Sequence, residues 1–190
     1  MVPAHFNKRA RTMHTSERTE RIRRTSHFFQ RLVMVLMGLL PLTAGLAWAF
    51  VDLNELDFGF TAEEVGPLTS FERWSAAALS LIPLSVSLFA LYNLQRLFAL
   101  YADGKFFDSE NVRCFRNMGW ALVAVVPLDI LFNSALSVLL SLDQPAGERM
   151  LAITMSSDDI GIAVIGAVII IVSWVMAEAA DLSQENAQIV

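Results

Sequence analysis

The stretch MGWALVAVVPLDILFNSALSVLLSL, residues 118–142, decides the fold. Its one charged side chain is Asp129, and no period-two alternation of apolar and polar residues runs through it. At about 1.5 Å rise per residue, roughly 20 helical residues cross a hydrocarbon core of about 30 Å, so the stretch is long enough to span a bilayer. Backbone polar groups in lipid must be satisfied within the segment, and without barrel alternation the segment has to be a helix. Working outward, residues 32–51, 75–92 and 160–177 form three more blocks of the same character. The sequence therefore predicts an all-α integral membrane protein with four transmembrane helices.

The whole chain is 55% hydrophobic and 17% charged, an unusual balance for a water-exposed surface. The net charge of −5 hides a segregation of sign. Residues 1–31 carry eight Lys or Arg, and the connection between the second and third blocks carries Arg96, Lys105, Arg113 and Arg116; the other two connections carry only Arg73 and Arg149. Basic residues stay on the cytoplasmic side. The amino terminus and second connection are thus expected in the cytoplasm, and four crossings return the carboxyl terminus there. The single cysteine, Cys114, lies in that second connection, where no disulfide is expected. Ala47-Trp48-Ala49 has the form of a signal-peptide cleavage site. The long basic region before it, with Pro41 and Trp48, suits a retained span instead.

Two units follow: a basic, flexible cytoplasmic tail over residues 1–27 and a four-helix membrane domain over residues 28–190. Glu17 precedes Arg21, and Glu20 precedes Arg24, by four residues, an order that favours helix from Glu17 onward. Eight cations beside an anionic leaflet suit lipid headgroups better than nucleic acid. The first external loop is acidic, and Thr61-Ala62-Glu63-Glu64 has capping-box spacing for a short turn. Its carboxylates match no calcium-loop spacing, so no metal or cofactor is assigned. The second helix should continue past the membrane through Arg96 to Tyr101, turn at Asp103-Gly104, and hand over to a third helix capped by Asp108. Helices 2 and 3 then form a hairpin that projects into the cytoplasm. A brief surface turn is expected over Met150–Met155, and a short helical acidic tail after the fourth span.

Gly104-Lys105-Phe106-Phe107-Asp108-Ser109-Glu110-Asn111, followed by Arg116-Asn117-Met118-Gly119, resembles the hairpin of a bacterial membrane family catalogued as domain of unknown function 2975. The tail from Glu178 to Asn186, ending in Ile189-Val190, is similar to that family's closing pattern. The resemblance covers residues 30–190 and implies a four-span inner-membrane protein of unassigned function, often encoded near a small helix-turn-helix regulator. It brings no catalytic residues. The long Arg-rich amino terminus departs from the family's more compact members.

Asp129 sits near the middle of the third span, where a carboxylate costs roughly 2.5–3.5 kcal/mol on insertion scales and should face protein or water. Asn133, Ser137 and Ser141 follow at intervals of four and extend a polar stripe, expected to face protein. It serves either as hydrogen-bonding glue to other helices or a second copy of the chain, or as a proton or cation path. A lone acid with no intramembrane Lys, Arg or His makes an incomplete relay, so glue is preferred. Pro41, Pro83 and Pro127 put one helix-distorting residue in each of the first three spans. Ala163 and Ala167, with Gly161 and Gly166 nearby, permit close helix contact in the fourth. His5, His14 and His27 all lie in the polar tail, and no nucleophile elbow, phosphate loop or metal-ligand cluster occurs. The expectation is a non-enzymatic membrane protein that signals to a cytoplasmic regulator, with Arg96, Lys105, Arg113 and Arg116 as the docking or headgroup collar. The alternative is a small transporter or channel centred on Asp129.

Overall fold

No glycine or proline falls between Ala4 and Met37, and good helix formers fill the polar segment. In the computed structural model the first helix, α1, accordingly runs without a break over Ala4–Phe50. It starts well before Glu17, and the boundary drawn at residue 27 falls inside it. The structure describes residues 4–50, 69–105, 108–141, 153 and 155–188, and everything regular among them is helical. Three helices follow: α2 over Ser70–Ala102, α3 over Ser109–Leu140 and α4 over Ser157–Gln188. All four are long and apolar enough to cross a membrane. The turn expected at Thr61–Glu64 and most of that expected over Met150–Met155 lie outside the described residues.

Four of the helix ends have an identifiable chemical stop. Thr69 caps α2 with a reciprocal box: its hydroxyl accepts from the Glu72 N–H at 3.3 Å, and the Glu72 carboxylate accepts from the Thr69 N–H at 2.8 Å. The Thr-Ser-Phe-Glu spacing of this box was as readable as the one at Thr61. Ser156 and Asp159 cap α4 in the same way, through bonds of 2.7 and 3.2 Å. At the far end of α2, Gly104 takes φ +78°, a left-handed conformation open to glycine, and closes a Schellman turn. There the Lys105 N–H donates to the Leu100 carbonyl at 2.9 Å and the Gly104 N–H to the Tyr101 carbonyl at 3.1 Å. Asp108 then caps α3 as the sequence predicts.

Along α1, Ser26 and Val33 are buried and Gln30, Met37, Leu40, Ala44 and Ala47 half-buried, a repeat of alternating fours and threes that, with half-buried Trp48 beside it, gives one narrow seam against α2. Phe29 stacks on Phe98 near one end of that seam, and the Trp48 indole N–H donates to the Ser80 hydroxyl near the other. The two helices are therefore antiparallel. α2 packs on α3, and α3 on α4, but α1 makes no comparable seam with α4. The helices form an open row with α1 and α4 as its edges. Buried apolar side chains gather in two clusters: Leu97, Leu100, Cys114 and Met118 under the hairpin turn, and Ala76, Leu136 and Leu140 at the opposite end.

α3 and α4 approach closely at a pair of glycines. A Cβ on Gly119 would lie 2.6 Å from Ile170 Cγ1 and 2.9 Å from the Gly166 carbonyl oxygen, and a Cβ on Gly166 would lie 2.9 Å from the Gly119 carbonyl oxygen. The close contact in the fourth helix thus runs through Gly166. Ala167 is exposed, and Gly161 has nothing near it, because the small residue that receives Gly166 is Gly119 on one face of α3 only.

Candidate functional site

Several polar contacts join α2 and α3 on either side of the turn between them. Asn111 is fully buried one turn into α3, and its side-chain amide donates to the Lys105 carbonyl at 2.7 Å, tying the start of α3 to the exit of α2. Its carboxamide oxygen is buried without a partner among the described residues. Deeper in the hairpin, the Asn117 amide donates to Asn93 Oδ1 at 3.0 Å, and the Asn93 amide donates to the Phe89 carbonyl at 2.8 Å. This is an interhelical polar bridge of the kind that helps join membrane helices. Nearer the turn, Arg96 pairs with Glu110, its Nε donating to Oε1 at 2.8 Å, while its Nη1 donates to the Tyr92 hydroxyl at 3.4 Å.

These contacts divide the basic collar. Arg96 is engaged by Glu110, whose hydrogen bond and charge raise its pKa further above the ordinary arginine value. Lys105, Arg113 and Arg116 are exposed, and none makes an ion pair among the described residues. Arg113 and Arg116 stand three apart on α3, so they share one side of the helix, next to the turn that carries Lys105. The collar expected from sequence is thus one structural cation and three presented ones. Cys114 is only 2% exposed within the hairpin core, and burial pushes its thiol up from the ordinary value.

The four residues of the stripe on α3 are all at least half-buried. Asp129 and Asn133 are half-buried, whereas Ser137 and Ser141 are buried. The Ser137 hydroxyl donates to the Ser134 carbonyl at 2.9 Å and that of Ser141 to the Val138 carbonyl at 3.2 Å, both on their own chain segment. With 3.6 residues per turn, a step of four overshoots by about 40°, so the ends of the stripe diverge by roughly a third of a turn. The collar and the stripe are not brought together. At the other end of the row, Arg73 Nη1 donates to the carbonyls of Trp48 and Ala49 at 3.3 and 3.0 Å, closing the last turn of α1. A cavity of 230 Å³ lies beside it, between Trp48 and Trp74.

Sequence reasoning missed the Asn93–Asn117 bridge and the Glu110 partner of Arg96, which lie 24 and 14 residues apart. The available signal was polar residues in each arm at matching distances from an already legible turn.

A protein-family model described as a protein of unknown function, DUF2975, matches residues 58–190. The match is narrower than the 30–190 expected and leaves α1 outside it. No curated protein and no solved structure is significantly similar to the chain.

Proposed function

Because this chain belongs to the DUF2975 family, a family of unknown function, its role has to be argued from its own geometry, and we propose that it is a non-enzymatic inner-membrane protein of a bacterium that docks a cytoplasmic partner at the α2–α3 turn. Both termini and the turn face the cytoplasm in this reading, because twelve of the fourteen basic residues then lie on the inner side. The observation that carries it is the set of contacts on either side of the turn. Caps, the Asn111 tether and the Arg96–Glu110 pair tie the end of α2 to the start of α3, while Lys105, Arg113 and Arg116 stand exposed beside them with no ion-pair partner among the described residues. An exposed group of charges of one sign suits recognition of an acidic protein surface.

Affinity purification of the chain in mild detergent tests this reading when Lys105→Gln, Arg113→Gln and Arg116→Gln are compared with the unaltered protein. The expected result is an acidic soluble partner recovered in comparable amount with the unaltered chain and depleted with the variants. Equal recovery from all of them would remove the docking role.

Asp129, half-buried within an apolar stretch, supports a second reading, transport of a proton or cation. That reading predicts that Asp129→Asn abolishes a flux measured in proteoliposomes while leaving partner recovery intact. Equal flux in the variant would dismiss it.

A further inference from the structure

A groove of 380 Å³ runs between α2 and α3, and we propose that it holds an acyl chain of an anionic phospholipid whose phosphate is received by Arg113. Val86 and Phe89 of α2 and Asn117, Trp120 and Ala124 of α3 line it. Ser80 and Phe98, which meet α1, stand about 180° around α2 from Phe89. Gly119, which meets α4, stands about 160° around α3 from Asn117. Both neighbouring helices therefore lie away from the groove.

The groove is polar at one end and apolar below it. Asn117, bonded across to Asn93, marks the polar end, whereas Ser85 at the other end turns its hydroxyl to the Ile82 carbonyl of its own helix at 2.7 Å. Past Asn117 the same sides of both helices continue toward the turn. Steps of four, three and four join Arg113, Asn117, Trp120 and Ala124 on α3, and Ser85, Phe89, Tyr92 and Arg96 on α2. Arg113 and Arg96 thus stand at the mouth. Trp120 and Tyr92 are exposed on either side of it, and such residues collect at headgroup level in membranes. The mouth then lies at the membrane surface and the groove in the hydrocarbon below.

Any lipid tail suits the apolar part, so the mouth selects the occupant. The carboxylates beside it are engaged, Glu110 by Arg96 and Asp108 by the start of α3, while Arg113 has no ion-pair partner among the described residues. A phosphate forms charge-assisted hydrogen bonds with a guanidinium, and basic pockets between membrane helices hold anionic headgroups in this way. A zwitterionic headgroup brings its own cation toward the same arginine and gains less. Asn117 lies about 6 Å below Arg113 along α3, at the depth where the ester groups of a lipid bound through its phosphate would fall. An acidic protein can meet Arg113 but does not enter a groove below the headgroups.

This site does not rest on the docking reading, although both use Arg113, and its test needs no protein partner, so either can fail alone. The full chain, purified in a delipidating detergent, is titrated with phosphatidylglycerol or phosphatidylethanolamine of identical acyl chains and read by native mass spectrometry. The expected result is one phosphatidylglycerol retained several-fold more tightly than phosphatidylethanolamine. Arg113→Gln, on an exposed side chain outside the packing, should abolish that preference. Ala124→Trp, which fills the groove, should lower retention of both lipids, and Leu131→Trp, on the same side of α3 but beyond the groove, should change neither. Equal retention of the two lipids by the unaltered chain would overturn the proposal, as would an unchanged preference in Arg113→Gln. Displacement of the lipid by glycerol 3-phosphate at comparable concentration would show an anion site without a tail groove, and a dimer formed as phosphatidylglycerol is withdrawn, and broken by Ala124→Trp, would give the groove to a second copy; either overturns it too.

Discussion

The inner part of α3 and the membrane part of α1 are equally apolar in sequence, yet one is held by both neighbours and the other by a single strip. Around Gly119, α3 lies against α4 closely enough that a methyl group has no room, while Asn117 reaches α2 on another side. α1 buries little beyond Ser26 and Val33, and its glycines face open space. In a bilayer the surrounding tails are as apolar as leucine, so burying an apolar side chain between helices gains packing and little hydrophobic transfer energy. Hydropathy finds both helices but cannot rank them, because it measures the preference for lipid and not the fit between helices.

The sharpest way to break this contrast is to fill the α3–α4 contact. Gly119→Leu should destabilise the protein by about 3 kcal/mol or more in reversible detergent unfolding, since backbone lies on the far side and cannot yield. Gly38→Leu, the same change in the open face of α1, should move the isolated protomer little. Similar losses at the two positions would mean that α1 is packed on more sides than its single seam. Smaller, but specific, is the polar bridge. Asn117→Ala should cost on the order of 1 kcal/mol, and pairing it with Asn93→Ala should cost less than the two single losses together, because neither amide is then left alone. Additive losses would show that the two residues act separately.

What was legible follows the same division. The four spans and the Asp103-Gly104 turn with its Asp108 cap are written locally, in runs of apolar residues and in residues with particular backbone needs. The Asn93–Asn117 bridge depends on how two helices align across that turn, and alignment is set by packing spread over both. Gly166 was visible as a small residue, but its partner Gly119 lies 47 positions earlier and no local pattern joins them. The Asp129 stripe is half-buried to buried along its length, and its even spacing of four was legible, although the 3.6-residue period turns its ends apart by about a third of a turn. The early start of α1 at Ala4 was missed because its polar composition spoke for mobility, although nothing in it breaks a helix.

The buried Cys114 sharpens the contrast by a different readout. A free thiol titrates at about 8.5, and burial raises the folded value. Stability that depends on a neutral thiol is therefore intact below the ordinary value and is lost as pH rises through the folded one. Maleimide should label Cys114 slowly from either side of the membrane, whereas Lys105→Cys in a Cys114→Ala background should label fast from the turn's side only. Rapid labelling of native Cys114 near neutral pH would mean that the hairpin core opens. A poorly reactive native thiol cannot report sidedness by resisting reagent, so Lys105→Cys is also the better probe of orientation.

The smallest effect gives the finest comparison, because it uses one residue type twice on one helix. Val33 is 4% exposed and Val35 is 64% exposed, two positions apart on α1. Val33→Ala removes atoms from the seam with α2 and should cost about 1 kcal/mol, most of it lost van der Waals contact. Val35→Ala removes the same atoms from a face that solvent tails cover on the isolated protomer, so its cost there should stay within about 0.5 kcal/mol. Unfolding at high detergent, where copies are diluted apart, isolates this protomer term; repeating it where copies associate adds whatever the outer face of α1 contributes to a neighbour. A gap between the two variants that persists under both conditions assigns α1 a single seam, and a gap that narrows on association places Val35 in a second one.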